Sequence, residues 1–391
     1  MKVAVTHAFS RRNAGDGLLV DLTLELLREA GVADDDVRVL ALDATSFADL
    51  RPRHHVEQVP GEPVPRPSRA LLRAAREVAR TGARVLGRDK PGHVEALVDG
   101  AACVAVGGGY LVADSVVRSG GVLLNHLPQI VAAGRTRAPS LYLPQSIGPL
   151  RGPVGLAARK ALAGVDVLYV RDDETFRELA GLTDVRRCPD LAVLQLAHAF
   201  ATLPRHEGGG AVVVVPRALP RAPGHHDRLR ALGHALAAAG MAPAWAVQAD
   251  VDGPRSDAAF LGRLGVPSAG PLGAVLRAAE GTGRAGVVVS VRLHGAIASL
   301  LAGWPAIHLS YERKGWGAYE DLGLAEFVHD VRSFDVDRVV AQARALRDDP
   351  RALFDRVAAR LPALHAARRD LLDELARRLC RPGPPATPDP R

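Results

Sequence analysis

The sequence predicts an α/β protein built as two parallel-sheet domains. Three observations carry this. Short apolar, β-rich runs alternate with Ala/Leu/Arg-rich helical stretches along nearly the whole chain. The alternation halts once, at Ala201–Gly210 (ATLPRHEGGG), and then restarts. The length, 391 residues, suits two domains at roughly 150 residues each.

The first series opens with a buried strand at Met1–Thr6. Gly15–Ala30 follows as a helix, with Leu18, Leu19, Leu22, Leu26 and Leu27 on one face. Val37–Leu42 is the next strand. Pro60–Ser68 (PGEPVPRPS) reads as a Pro-rich loop, and a helix is predicted from Arg69 to Arg80. Ala102–Val106 is a strand ending in three glycines. Ser140–Leu143, Val165–Val170 and Asp184–Arg187 are further strands.

The second series runs Ala211–Val215 (strand), Asp227–Ala239 (helix), Ala244–Gln248 (strand), Leu272–Glu280 (helix) and Gly286–Val291 (strand). Leu293–Ala302 (helix) and Ala306–Ser310 (strand) follow, and helices dominate from Asp335 to Leu379. The tail Arg381–Arg391 (RPGPPATPDPR) is Pro-rich and reads as disordered. The predicted domains are therefore residues 1–200, Rossmann-like, and 208–380, Rossmann-like with terminal helices, followed by the tail 381–391. Two such domains facing across a cleft would bind ligand at the carboxyl ends of their strands.

Composition narrows the function. Cys103, Cys188 and Cys380 lie far apart, which excludes a disulfide scaffold and a cysteine-based zinc site. No apolar run approaches the ~18 residues of a membrane span, and MKVAVTHAF lacks a signal-peptide pattern, so a cytoplasmic protein is expected. The net charge is +7, carried by 46 arginines and only four lysines. Arg, Ala, Gly and Pro abundance matches a GC-rich genome, so a solvated basic surface accounts for much of it. An affinity for anions is the functional alternative. The arginines are spread along the chain and aromatics make up 4%, without a zinc-finger, RRM or basic-helix pattern. A nucleic-acid partner is therefore not expected.

Five motifs stand where strands end. In Asn13-Ala14-Gly15-Asp16, Gly15 permits a sharp turn and Asn13 or Asp16 can cap the helix. Alternatively Asp16 deprotonates an acceptor hydroxyl. Gly107-Gly108-Gly109 would expose backbone N–H groups beside a helix start, suited to an anion, or simply form a tight turn. Gln145 and Ser146, in LPQSIGP, either donate hydrogen bonds to a ligand or shape a turn. Arg171, in YVRDDE, lands at a strand's carboxyl end, where a local salt bridge is the plainer reading. Arg292 and His294, in SVRLHG, are the sharpest pair. Arginine's fork suits a carboxylate or phosphate, and a nearby protonated histidine can serve as general acid. Lys314 is the one lysine of the C-terminal half. His54-His55 and His225-His226 lack partners at metal spacing and read as surface residues, so no metal site is expected.

Taken in order, NAGD, GGGYLVAD, LPQSIGP, YVRDDET, CPDLAV (Cys188–Val193) and VVVSVRLHGAIASLLAGWPAIHLSYERKGW resemble the polysaccharide pyruvyl transferase family. They span Asn13 to Trp316. The resemblance implies a GT-B-like fold, phosphoenolpyruvate as donor, and a sugar or glycan diol as acceptor. Products would be a pyruvate ketal and phosphate, with no cofactor. Arg171, Arg292 and Lys314 would hold the donor, with Asn13, Gly108, Gly109, Gln145 and Ser146 completing the substrate site. His294 would protonate the enol carbon and Asp16 would act as base. Where the family often has an acid before the RLHG block, this chain has Val291.

Two rivals stand beside this reading. One is a GT-B glycosyltransferase using a nucleotide sugar in the same cleft. The other is a non-catalytic sugar- or phosphate-binding protein. Peripheral membrane docking through the basic surface stays open, as do the acceptor and the oligomeric state.

Overall fold

The computed structural model describes residues 1–59, 93–219, 222, 224–249, 256–280 and 282–380. The predicted Pro-rich loop, the helix at 69–80 and the tail 381–391 lie outside these residues. Contacts divide the chain into two units. One comprises Met1–Ser10, Leu19–Cys188 and the chain from Ala367; the other comprises Arg11–Leu18 and Pro189–Ala366. This differs from the sequential division 1–200 and 208–380, because the chain passes between units after Ser10, Leu18, Cys188 and Ala366. Two of these crossings, after Leu18 and Ala366, fall inside helices. The helix Ala14–Glu29 starts in one unit and continues in the other, as does the helix Arg351–Leu379.

The first unit holds a parallel sheet of β1 (Val3–Ala8), β2 (Val37–Ala41), β3 (His55–Gln58), β4 (Ala102–Ala105), β5 (Gly108–Ala113), β6 (Ser140–Leu150), β7 (Val167–Val170) and β8 (Asp184–Arg187). Its order is β3-β2-β1-β4-β6-β7-β8, with β5 beside β6. Every residue of β1, β4 and β7 is buried, as expected for parallel strands covered on both faces. Leu40, Cys103, Ile130, Tyr142 and Leu168 belong to its core.

Three local expectations change. The glycine triplet starts no helix: Gly108 and Gly109 open strand β5, whose register runs Gly108↔Gln145 and Leu111↔Ile147, and the next helix is Val116–Gly121. An anion cradle at a helix N-terminus is thereby lost at that point. Strand β6 runs past Leu143 to Leu150, because β5 and β7 continue to pair with it, so Gln145 and Ser146 lie within a strand. The histidine pairs are not purely superficial. His54 and His225 are buried, with Nδ1 of His54 3.2 Å from the Asp34 carbonyl and Nε2 of His225 2.8 Å from the Arg217 carbonyl.

The second unit holds β9 (Val212–Val215), β10 (Ala244–Val247), β11 (Ser268–Pro271), β12 (Val287–Ser290), β13 (Ala306–Ser310) and β14 (Val328–Asp330). All pairs are parallel, in the order β11-β10-β9-β12-β13-β14. The central strands are the valine runs VVVV and VVVS, wholly buried. The edge strands β11 (SAGP) and β14 (VHD) are short and carry no apolar run, which hid them in the sequence. In both units strand order reverses beside the first strand, so each is a doubly wound sheet with its switch point there. Helices Val336–Asp348 and Arg351–Leu379 close the described chain. No helix among the described residues is long and apolar enough to cross a membrane.

Candidate active site

In the second unit the switch point lies between β9 and β12. Ligands of open α/β sheets bind beyond the carboxyl ends of such strands. Arg217 follows β9, Arg292 and His294 follow β12, and Lys314 follows β13. Residues Arg11–Leu18 belong to this same unit and bring Asn13, Gly15 and Asp16 to it.

Asn13 is the cap that the sequence allowed. Its Oδ1 accepts from Gly15 N (3.3 Å), while its carbonyl accepts from Asp16 N (3.0 Å) and Gly17 N (3.1 Å). An isolated antiparallel bridge to Ala249 holds it against the second unit's sheet. Asp16 is thus released from capping. Burial raises its carboxyl above the ordinary value, opposed by the nearby charges of His294, Lys314 and Arg217 and by a hydrogen bond from Asn13. A carboxylate whose proton affinity is raised is a better base.

His294 is the second residue of the helix Leu293–Leu301. Its ring lies against the first turn of Ala14–Glu29: a Cβ placed on Gly15 would sit 2.5 Å from Nδ1 and 3.0 Å from Cγ. Only glycine fits there. The NAGD and RLHG motifs therefore meet in space. The other nitrogen, Nε2, is buried without a hydrogen-bond partner, 3.8 Å from Asp190 Oδ2.

Arg292 does not present an empty fork. Its Nε and Nη2 donate to the two oxygens of Asp257, at 2.8 and 2.6 Å. Asp257 is fully buried and also accepts from Gln248 N (3.1 Å) and Ala249 N (2.9 Å). The bidentate grip expected for a ligand is taken by a carboxylate of the protein, and Nη1 alone lies outside that pair. That carboxylate comes from the start of the helix Asp257–Leu264.

Lys314 Nζ pairs with Glu312 Oε2 at 2.8 Å and lies 5.8 Å from the centre of the Tyr311 ring. Arg217 stacks over the same ring at 4.7 Å and donates to the Tyr311 hydroxyl. Tyr311 thereby fixes two cations at the start of the helix Arg313–Asp321. His308, buried beneath, is held to about 4 by burial and by Lys314 and His294, against its hydrogen bond to the Ser290 carbonyl (2.9 Å). It stays neutral while Arg217 and Lys314 carry charge.

The remaining sequence candidates lie in the first unit. Arg171 is buried, donates from Nε to Ser146 Oγ (3.1 Å), and its backbone N–H reaches the Gln145 carbonyl (3.1 Å). Arg171, just past the end of β7, is thus brought to Gln145 and Ser146 in the middle of β6. Gln145 is fully buried, including both atoms of its carboxamide. Gly108 pairs with Gln145 across β5 and β6, and Gly109 follows it.

Sequence reasoning missed Arg217, Asp190, Asp257 and Tyr311. The signal for Arg217 was present: a cation two residues beyond VVVV. It also missed a buried cluster in the first unit. His7, in the left-handed region at φ 64°, donates its N–H to Gln129 Oε1 (2.7 Å). His7 Nε2 is 2.8 Å from the Tyr142 hydroxyl and its Nδ1 is 3.1 Å from His126 Nδ1, with Tyr110 stacked on both imidazoles.

Residues 13–260 match the model of the polysaccharide pyruvyl transferase family. The chain belongs to this family. The matched span holds Asn13, Asp16, Arg171, Asp190, Arg217 and Asp257; the RLHG block follows it. The amylovoran biosynthesis protein AmsJ of Erwinia amylovora is 36% identical over 62 residues, 16% of this chain and 15% of that protein. The match therefore spans about a seventh of that relative's length. Among solved structures, UDP-GlcNAc 2-epimerase from Neisseria meningitidis, bound to UDP-GlcNAc, is similar with a TM-score of 0.54 at 10% identity, covering 96% of this chain and 100% of that one. A UGT transferase from Siraitia grosvenorii, in complex with UDP, gives 0.51 at 13% identity, covering 96% and 99%. At such identities the likeness shows the fold: two parallel-sheet α/β domains, GT-B-like, with a helical C-terminus.

Proposed function

We propose that the chain transfers the pyruvyl group of phosphoenolpyruvate to two hydroxyls of a sugar or glycan, forming a ketal and releasing phosphate. The observation that carries this reading is the convergence of Asp16 and His294, an acid/base pair from two motifs distant in sequence, beside Arg217 and Lys314. The donor carries a carboxylate and a phosphate, and the two cations held by Tyr311, Arg217 and Lys314, match that charge.

In this scheme His294 gives a proton to the methylene carbon of the donor, leaving C2 electrophilic. Asp16 takes the proton of the attacking hydroxyl as its oxygen bonds to C2. The C2–O bond to phosphate then breaks, with Arg217 and Lys314 stabilising the departing charge. The second hydroxyl adds to C2 and closes the ketal, its proton restoring His294, while the proton held by Asp16 goes to the released phosphate. Arg171 and Ser146 are further anion- or hydroxyl-binding candidates, and Arg292 contributes through Nη1. No step calls for a cofactor.

The test is incubation with phosphoenolpyruvate and a panel of sugar diols, followed by phosphate assay and mass spectrometry. A product heavier by one pyruvate ketal supports the reading. Transfer from a UDP-sugar instead would replace it with glycosyl transfer.

A further inference from the structure

We infer that Asp190 is a positioning residue for His294, holding its Nε2 so that Nδ1 is the nitrogen that faces the reaction. The inference deepens the reading of His294 as the acid, and rests on it for its catalytic meaning.

The two oxygens of Asp190 have separate environments. Oδ1 caps the helix Leu191–Ala199, accepting from Ala192 N at 2.8 Å. Oδ2 points at His294 Nε2, 3.8 Å away. Asp190 is 1% exposed, so this carboxylate meets little screening water. Helices Leu191–Ala199 and Leu293–Leu301 pack against each other, which fixes the approach. Nε2 is itself sealed and makes no hydrogen bond. A buried imidazole nitrogen beside a buried carboxylate carries its proton. At 3.8 Å the two atoms face each other without a hydrogen bond, and catalytic contacts of this kind often tighten only when substrate binds.

The consequence concerns the opposite nitrogen. With Nε2 turned to Asp190, Nδ1 is the nitrogen left for the reaction, and it is the atom lying against Gly15, one residue from Asp16. A third group that orients an acid/base histidine is the general logic of catalytic triads. Here the orienting carboxylate takes Nε2, and the helix start takes Nδ1. Other titratable groups facing the ring are Asp16 from the first helix and His308 from β13.

The variant Asp190→Asn separates the roles. Asparagine caps a helix as well as aspartate, so the fold is retained. The measurement is ¹⁵N NMR of histidine-labelled protein, with the His294 signals assigned by their loss in His294→Gln. The neutral His294 ring of the wild type is expected to carry its proton on Nε2. In Asp190→Asn the proton is expected to redistribute between the nitrogens, with phosphoenolpyruvate affinity by calorimetry unchanged within about twofold. A wild-type ring protonated on Nδ1, or a tautomer unmoved by Asp190→Asn, overturns the inference. Absence of phosphoenolpyruvate binding by the wild type counts instead against the donor reading, and leaves the tautomer readable.

Discussion

Gly15 and His294 pack so closely that a single methyl on Gly15 would come within 2.5 Å of the imidazole Nδ1. The glycine of the first motif is thus explained by the histidine of the last. Its use is steric: it lets the helix start lie against the ring and brings Asp16 within electrostatic reach of it.

Gly15→Ala therefore tests the site by displacement. In an ordinary helix this change stabilises by up to about 1 kcal/mol. Here the ring must move, and misplacement of this order costs on the order of 10²-fold in rate. The expected result is a thermal midpoint near that of wild type with turnover reduced about a hundredfold. Full turnover would show that the His294 position does not matter.

Arg292→Ala is expected to be a stability variant first. Asp257 would remain buried with two backbone N–H groups but no countercharge. Loss of one partner from a buried pair costs about 3–5 kcal/mol. Urea unfolding should show that loss, and the double variant Arg292→Met/Asp257→Leu should recover much of it. A loss below about 1 kcal/mol would mean that water reaches Asp257.

Much of this was legible in the sequence, for physical reasons. VVVV and VVVS are buried on both faces, so they announce themselves as central strands without tertiary knowledge. The RLHG block is compact, and Arg292 and His294 were readable from it. The Asp257–Arg292 pair joins residues 35 positions apart, and nothing local at Asp257 marks it. Asp190 stands in a motif that was noticed, but a helix cap explains an aspartate there completely. The glycine triplet misled because a turn and a strand start look alike when side chains are absent.

Acid should weaken the fold through buried neutral histidines. Burial holds His126 at about 3 and His308 at about 4, and His7 well below its ordinary value, the last helped by His126. The unfolded chain titrates near 6.5, so below that pH it binds protons that the folded state refuses. Stability is then complete above pH 6.5 and falls as pH drops toward 4, by up to about 1.4 kcal/mol per pH unit for each such histidine. Urea midpoints at pH 7.5 and 5.0 check this; equal midpoints would mean that these rings are hydrated.

Asp16 carries the opposite sign. Its folded-state proton affinity is raised, so stability declines as pH rises from the ordinary aspartate range through the raised value. Asp16→Asn removes that cost. The expected outcome is a higher melting temperature at neutral pH together with a loss of turnover of about 10²–10⁴. A variant that is less stable and still active would remove Asp16 from the role of base.

The most direct test of the donor site is calorimetric titration of phosphoenolpyruvate into wild type and Lys314→Ala, with UDP-GlcNAc as the comparison ligand. Lys314 pairs with the part-exposed Glu312 and not with a buried carboxylate, so its removal should leave the fold intact. The account predicts that wild type binds phosphoenolpyruvate and that Lys314→Ala binds it at least about tenfold more weakly, the loss expected for one charge-assisted contact. Binding of UDP-GlcNAc without binding of phosphoenolpyruvate would contradict it.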